Sequence, residues 1–358
     1  MARIIVHIGA HKTATTYIQN RFAKNRERLR EHALIYPTCI GASGHPNLAG
    51  VWINTRLTNQ PDPGAPRVAQ FKAFVDEHAQ REGLVLISHE AFSRYLPERV
   101  DMAELADFLA PFEDARVVFT VREQPGYVQS IWMQRSKKSD NVAKLDAYIE
   151  RTINTGFANG LHADFNHLYD RVVAGFGADR VSVLTYDALS AHQDGPFGAF
   201  LDFLGVDEPA DSFADLKDIK QSNISPSPLH FELARRATAP TPPCFGLVEM
   251  AIKAMKINGP TSLLTRDQRA RIVEKFEPLN AALVEKVRQH QPGFTFQIPA
   301  ENPNMVYFNE ISDEQREKFN VMLARRKVLN RLVARISPSW NNSLLGRRHS
   351  SLIRNVKR

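Results

Sequence analysis

The sequence predicts an α/β protein of three layers: a central parallel sheet flanked by helices, with a helical C-terminal extension. Three observations predict it. Short apolar runs alternate with helical patterns over the first 190 residues. Those runs are apolar on both faces, as strands are when helices cover both sides of a sheet. The residues with chemical potential, Lys12, Glu90, Arg122 and Tyr186, all fall at or just past the end of such a run. Ligands of doubly covered parallel sheets bind beyond the carboxyl ends of the strands.

The elements follow in order. Arg3–Gly9 reads as the first strand, and Thr15–His32 as the helix that leaves it. Ile40–Pro66, rich in Gly, Pro and Asn, reads as a long functional loop. Helix Arg67–Arg81, strand Leu84–Ser88 and helix Asp101–Leu109 come next, followed by strand Arg116–Arg122 with its β-branched and aromatic run. Helices Gly126–Lys137, Val142–Thr155 and Ala163–Phe176 precede the last strand, Arg180–Tyr186. Beyond about residue 196 the pattern is helical: Pro196–Leu204, Pro228–Ala237, Gly246–Lys256, Arg266–His290 and Ser312–Ile336. We expect one α/β body over 1–310, its helical part starting near 196, and a basic helical tail over 311–358.

The junction of the first strand and helix carries the most information. Gly9-Ala10-His11-Lys12-Thr13-Ala14-Thr15-Thr16 puts a lysine and three threonines where a helix N-terminus offers unpaired N–H groups and a positive dipole end. A triphosphate loop needs Gly immediately before its Lys, with four residues between its two glycines. Here Gly9 lies three residues before Lys12, and His11 precedes it. The loop is an anion cradle of another spacing.

A second junction has related chemistry. Arg122 ends a strand, Glu123-Gln124-Pro125 opens a helix, and Ser130 follows eight residues after the arginine. Arg presents a planar fork to a phosphate, and a helical Ser adds a hydroxyl donor.

Together these segments resemble the sulfotransferases that use 3′-phosphoadenosine-5′-phosphosulfate (PAPS), over about the first 225 residues. Gly9, Lys12, Thr13, Thr15 and Thr16 fall on that family's Gly-x-x-Lys-Thr-Gly-Thr-Thr loop, with Ala14 in place of a glycine. Ala is tolerated there if the backbone is helical. The resemblance implies a P-loop NTPase-like fold, a phosphosulfate site over Gly9 and His11–Thr16, and a 3′-phosphate site at Arg122 and Ser130. It further implies closure over the adenosine by Tyr186 and by Lys220-Gln221-Ser222-Asn223, so that Ser222 and Asn223 join the binding set. The late Arg-Lys-Gly motif of the cytosolic phenol and steroid enzymes is missing, so the chain is closer to the carbohydrate and bacterial branch. The acceptor is then a glycan or glycolipid, the donor PAPS and the product adenosine 3′,5′-bisphosphate.

Lys12 is the candidate to stabilise charge on the oxygen that the sulfuryl group leaves, with a purely binding role as the alternative. Proton removal from the acceptor calls for a base within hydrogen-bond reach. Ser88-His89-Glu90 at a strand end is the place to look. If the strand continues through Glu90, Ser88 and Glu90 share a face and His89 does not. Glu90 is preferred by resemblance to glycan-directed enzymes, with His89 the alternative; a carboxyl raised by burial would suit the role. His45 is a further candidate for acceptor contact, and His11 for contact with the sulfate. His7, inside the first strand, reads as a satisfied core residue.

Composition bounds the rest. Apolar residues make up 43% of the 358 and charged residues 24%, ordinary for a globular protein. No apolar run approaches the ~20 residues of a membrane span, and no secretory signal is expected. Cys39 and Cys244 lack metal or disulfide spacing, which suits a reducing cytosol. No acidic cluster pairs with the loop to hold Mg²⁺, so no metal is expected. Ten of the basic residues behind the net charge of +7 lie in 325–358, which has no Asp or Glu. The other 36 basic residues face 39 acidic ones. Such a tail suits a cytoplasmic protein held peripherally at the anionic inner face of a membrane, or only solubility; no specific nucleic acid is expected. The competing functional readings are an atypical ATP-dependent kinase and a non-catalytic nucleotide-binding module with a docking tail.

Overall fold

The computed structural model describes residues 1–39, 41–53, 64–96, 99–137, 142–213, 227–237, 255, 257, 259–321 and 324. Its packing divides the chain into two compact units, Met1–Ile224 with Arg266–Ala300, and Ser225–Thr265 with Glu301–Arg358.

The first unit opens with β1 (Arg3–His7), α1 (Thr15–Lys24) and α2 (Arg26–Glu31), then β2 (Leu34–Ile35), α3 (Pro46–Ala49) and α4 (Gly64–Ala79). β3 (Leu84–Ser88) and α5 (Met102–Leu109) lead to β4 (Asp114–Val121), α6 (Gln124–Ser136) and α7 (Leu145–Thr155). The short antiparallel pair β5 (Phe157–Ala158) and β6 (Leu161–His162) precedes α8 (Phe165–Phe176), β7 (Val181–Thr185), α9 (Tyr186–Ala191) and α10 (Gly195–Leu204).

Five strands among the described residues form the central sheet, in the order β2-β3-β1-β4-β7, all parallel. The chain steps from β1 to β3 on one side and then crosses to β4 on the other. The strand order therefore reverses at the carboxyl end of β1, where doubly wound sheets open a crevice for ligands. Side chains alternate between faces. Ile5, Leu86 and Val118 share one core cluster with Ile18, Phe22, Phe197 and Phe200 of α1 and α10. Their neighbours Ile4, Val6, Val85, Ile87, Val117 and Phe119 are just as buried on the opposite face. The predicted three-layer α/β class is the observed one.

Two local departures bear on the site. The single helix expected over Thr15–His32 breaks at Asn25, whose buried Nδ2 donates to the Arg21 carbonyl at 2.8 Å. An asparagine that reaches back to its own backbone competes with helix continuation. β2, too short to leave a periodic signal, was not anticipated. α1 is held by Phe22, whose ring lies 5.4 Å from Tyr36, 5.2 Å from Phe197 and 5.9 Å from Phe200. Truncating a buried aromatic of this kind costs about 3–5 kcal/mol.

In the second unit, β8 (Thr261–Ser262) pairs in parallel with β9 (Val306–Tyr307). Leu229 and Leu233 of α11 (Pro228–Ala237) cluster with Met255, Ile311 and Phe319. The chain between these segments returns to the first unit as α12 (Arg266–Arg288). The expected basic tail over 325–358 lies outside the described residues. Among the described residues, no helix is long and apolar enough to cross a membrane.

Candidate functional site

The loop after β1 is a strained turn. Gly9 has φ of 31°, and a Cβ there would stand 2.7 Å from the Thr15 hydroxyl, so glycine is required on both counts. Lys12 and Ala14 are also left-handed, at φ 66° and 61°. The proviso attached to Ala14 therefore fails: it precedes α1 as a left-handed N-cap rather than a helical residue, and a glycine would fit it better. The threonines also differ from expectation. Thr13 and Thr15 are buried, and both hydroxyls donate to the Ala10 carbonyl, at 2.5 and 3.4 Å. They brace the turn from inside, whereas Thr16 is exposed in the first turn of α1.

Arg122 follows β4, and its guanidinium reaches the loop directly. Nη1 donates to the Lys12 carbonyl at 3.0 Å, Cζ lies 4.6 Å above the Tyr186 ring, and Nε stands 4.0 Å from Glu123. The buried Nε makes no hydrogen bond among the described residues. The loop and the strand-end arginine, expected as separate anion sites, are thus joined. Glu123 caps α6 through both carboxylate oxygens, which accept from Gly126 N at 3.0 and 2.8 Å, and Pro125 occupies the first turn. Burial raises the Glu123 carboxyl to about 6 against the opposing pull of Gly126 N–H and Arg122. Ser130 stands half-buried one turn on, its hydroxyl donating to the Tyr127 carbonyl at 2.8 Å.

Lys12 is held below its ordinary value, first by burial and then by the positive charges of Lys137 and Arg122, against the attraction of Glu90. Lys137, just past α6, was missed in the sequence. Nothing in its spacing signals it, because it lies 125 residues from Lys12 in the sequence. Two half-buried cations at one loop, with the exposed Lys137 adding its positive charge, are an arrangement that a polyvalent anion would stabilise.

On the other side of β1, β3 ends at Ser88, and Glu90 opens the 3-10 turn Glu90–Ser93. The premise that a continuing strand sorts Ser88 and Glu90 onto one face is therefore overturned. His89 caps this turn, its Nδ1 accepting from Ala91 N at 3.2 Å. Glu90 Oε2 accepts from Gln19 Nε2 at 3.4 Å, and Oε1 lies 4.0 Å from His11 Nδ1. Burial alone would raise the Glu90 carboxyl, but the His11 and His89 rings, a backbone N–H and Gln19 outweigh it. Glu90 thus sits below the ordinary carboxylate range, not above it as a burial-tuned base would. His11 falls to about 4, because burial outweighs the attraction of Glu90.

His45 is not an open loop residue. It is 2% exposed, its Nδ1 accepts from Ser88 N at 3.0 Å, and Nε2 lies 3.1 Å from the Pro37 carbonyl. Both nitrogens are occupied by backbone, so it is a strut beneath β3 and is corrected as a catalytic candidate. His7 is fully buried, with Nδ1 on Ser88 Oγ at 2.9 Å and Nε2 unbonded, so the expected core residue is only half satisfied. Ser222 and Asn223 lie outside the described residues. Among the described residues, no group of three His, Cys, Asp or Glu side chains could hold a metal ion.

Neither a protein-family model nor a curated protein sequence matches this chain. Among solved structures, a sulfotransferase from Alicyclobacillus acidocaldarius aligns at a TM-score of 0.42 and 13% identity, over 80% of this chain and 94% of its own. The sulfotransferase domain of the Synechococcus PCC 7002 olefin synthase aligns at a TM-score of 0.30 and 13% identity, over 90% of this chain and 94% of its own.

Proposed function

We propose that this chain is a PAPS-dependent sulfotransferase that moves a sulfuryl group to a hydroxyl or amine of an acceptor, a glycan or glycolipid. The observation that carries the reading is the meeting of Lys12 and Arg122 on a strained loop at the switch point of the sheet, with the carboxylate of Glu90 on the opposite flank. A donor with phosphate at both ends needs cations of this kind in two places. Lys12 and the N-terminus of α1 would hold the phosphosulfate. Arg122 would take the 3′-phosphate through its unbonded Nε edge, with Ser130 turning its hydroxyl toward it and Tyr186 packed behind.

Bound PAPS supplies an activated sulfuryl group, and the protein's part is positioning and charge stabilisation. Lys12 steadies the phosphate oxygen that is released. Glu90 supplies the negative charge that supports removal of the acceptor's proton. The Gly spacing of the loop weighs against the kinase alternative. The cluster of charge in 325–358 supports docking to an anionic membrane surface, a contact that added salt should weaken.

Calorimetric titration with adenosine 3′,5′-bisphosphate, beside ATP with Mg²⁺, tests the reading. Micromolar or tighter binding of the bisphosphate is expected. Tight ATP binding with no response to the bisphosphate would sink it in favour of a kinase.

A further inference from the structure

We propose that His11 is the group that receives the acceptor's proton, and that Glu90 acts through it as a positioning residue; this rests on the sulfotransferase reading above. Four histidines lie around the loop and the end of β3, and their partners separate them. His45 has both ring nitrogens on backbone atoms, and His89 has Nδ1 on Ala91 N. His7 keeps a free Nε2 but is fully enclosed within β1, where no acceptor reaches it. His11 alone of the four sits on the anion loop; its side chain is 20% exposed, though its Nε2 is itself buried, and that nitrogen makes no hydrogen bond among the described residues.

The surroundings of the ring assign its tautomer. Glu90 Oε1 faces Nδ1 at 4.0 Å. That carboxylate is held in turn, because Gln19 Nε2 donates to Oε2 at 3.4 Å and to Ser88 Oγ at 3.2 Å. Gln19 lies one turn along α1 from Thr15, so the helix that carries the loop also fixes the carboxylate beside it. A carboxylate facing Nδ1 favours the proton there and leaves the Nε2 lone pair as the acceptor. A buried ring nitrogen without a partner is costly, and it lies beside Lys12, a left-handed residue of the same loop.

The charged groups about the ring are Glu90, Arg94, His89 and Lys12. Burial first, and then the basic neighbours, keep it neutral when free, the state a base needs, and Glu90 stabilises the imidazolium once it forms. Base and leaving-group cation are then adjacent residues of one loop. The balance is simple. The acceptor oxygen bonds to sulfur as its proton passes to His11 Nε2. The bond from sulfur to the 5′-phosphate oxygen breaks, its electron pair stays on that oxygen beside Lys12, and the histidine later returns the proton to solvent.

Two measurements on the full chain test this. In protein labelled with ¹⁵N-histidine, the unprotonated nitrogen of His11 is expected to be Nε2, and this preference should weaken in Glu90→Gln. A proton on Nε2 in the unmodified protein overturns the proposal without any need to know the acceptor. With PAPS as the probe and water as acceptor, His11→Gln should lower sulfate release by ~100-fold or more, the usual reach of a general base. It should change bisphosphate binding far less and remove the acidic limb of the pH profile; an unchanged rate and profile overturns the proposal. Failure of the unmodified protein to bind the bisphosphate at all instead removes the sulfotransferase reading, whatever the tautomer.

Discussion

Arg122, at the end of one strand, donates through Nη1 to the carbonyl oxygen of Lys12, in the loop after the neighbouring strand, at 3.0 Å. The left-handed turn at Lys12 makes that carbonyl available, and the planar fork keeps a second edge for a ligand. A charged hydrogen bond contributes about 1.5–3 kcal/mol, enough to offset the ~1–2 kcal/mol that a left-handed L-residue costs. Loop shape and, in the proposed function, phosphate recognition therefore depend on one side chain.

Arg122→Ala should weaken binding of adenosine 3′,5′-bisphosphate by ~1.5–3 kcal/mol, the loss of a charged partner. Arg122→Lys should fall between, because it keeps the charge but not the fork. Calorimetry on the three proteins checks the order; equal affinities would remove Arg122 from the ligand site.

Ala14→Gly should be neutral to stabilising, unlike most alanine-to-glycine changes. Relief of the left-handed Cβ at φ 61° is worth ~1–2 kcal/mol, against ~0.4–1 kcal/mol of added freedom in the unfolded chain. The net expectation is up to ~1 kcal/mol of stability, read from denaturant midpoints. A clear loss would mean that the loop does not hold Ala14 left-handed in solution.

Much of this was legible in the sequence, for definite reasons. Apolar runs followed by helical periodicity identified β1, β3, β4 and β7, and strand-end chemistry singled out Lys12, Glu90 and Arg122. What stayed hidden depends on rotation about single bonds or on packing across distance. The inward turn of Thr13 and Thr15 toward Ala10 carries no pattern. Nor does the burial of His45, which sits in a Gly-Pro-rich stretch that reads as open loop. Lys137, 125 residues from Lys12, adds its charge to the loop with no local pattern to mark it.

His45 also sets a pH dependence. Burial holds its ring neutral to about pH 4 against an ordinary 6.5, despite the bond to the Pro37 carbonyl, which favours the charged form. A ring that charges in the unfolded chain first makes that state bind more protons between those values, so stability rises with pH there. The contribution is complete above about 6.5 and lost as pH falls toward 4, worth about 3 kcal/mol. His45→Gln should lower stability at neutral pH and flatten this part of the profile in urea titrations. An unchanged slope in the variant would show that other groups carry it.

The exposed edge of the sheet offers the last test. Among the described residues β7 ends the strand order, and its outer N–H and C=O groups have no neighbouring strand. At Val183, Gln291 acts as a substitute. Val183 N donates to Gln291 Oε1 at 3.1 Å, and Gln291 Nε2 donates to the Val183 carbonyl at 2.9 Å. One side-chain amide just beyond α12 thus reproduces both bonds of a strand partner, at a residue whose side chain is wholly buried. Gln291→Ala deletes two hydrogen bonds of about 0.5–1.5 kcal/mol each, so a loss of ~1–3 kcal/mol is expected. Gln291→Glu keeps the acceptor for Val183 N–H but sets a carboxylate against the carbonyl, and should cost at least as much. Because an uncovered edge strand pairs readily with another chain, the alanine variant should also self-associate more at high concentration. Amide exchange at Val183 reports the contact directly; protection there that survives Gln291→Ala would mean the edge is covered by something else.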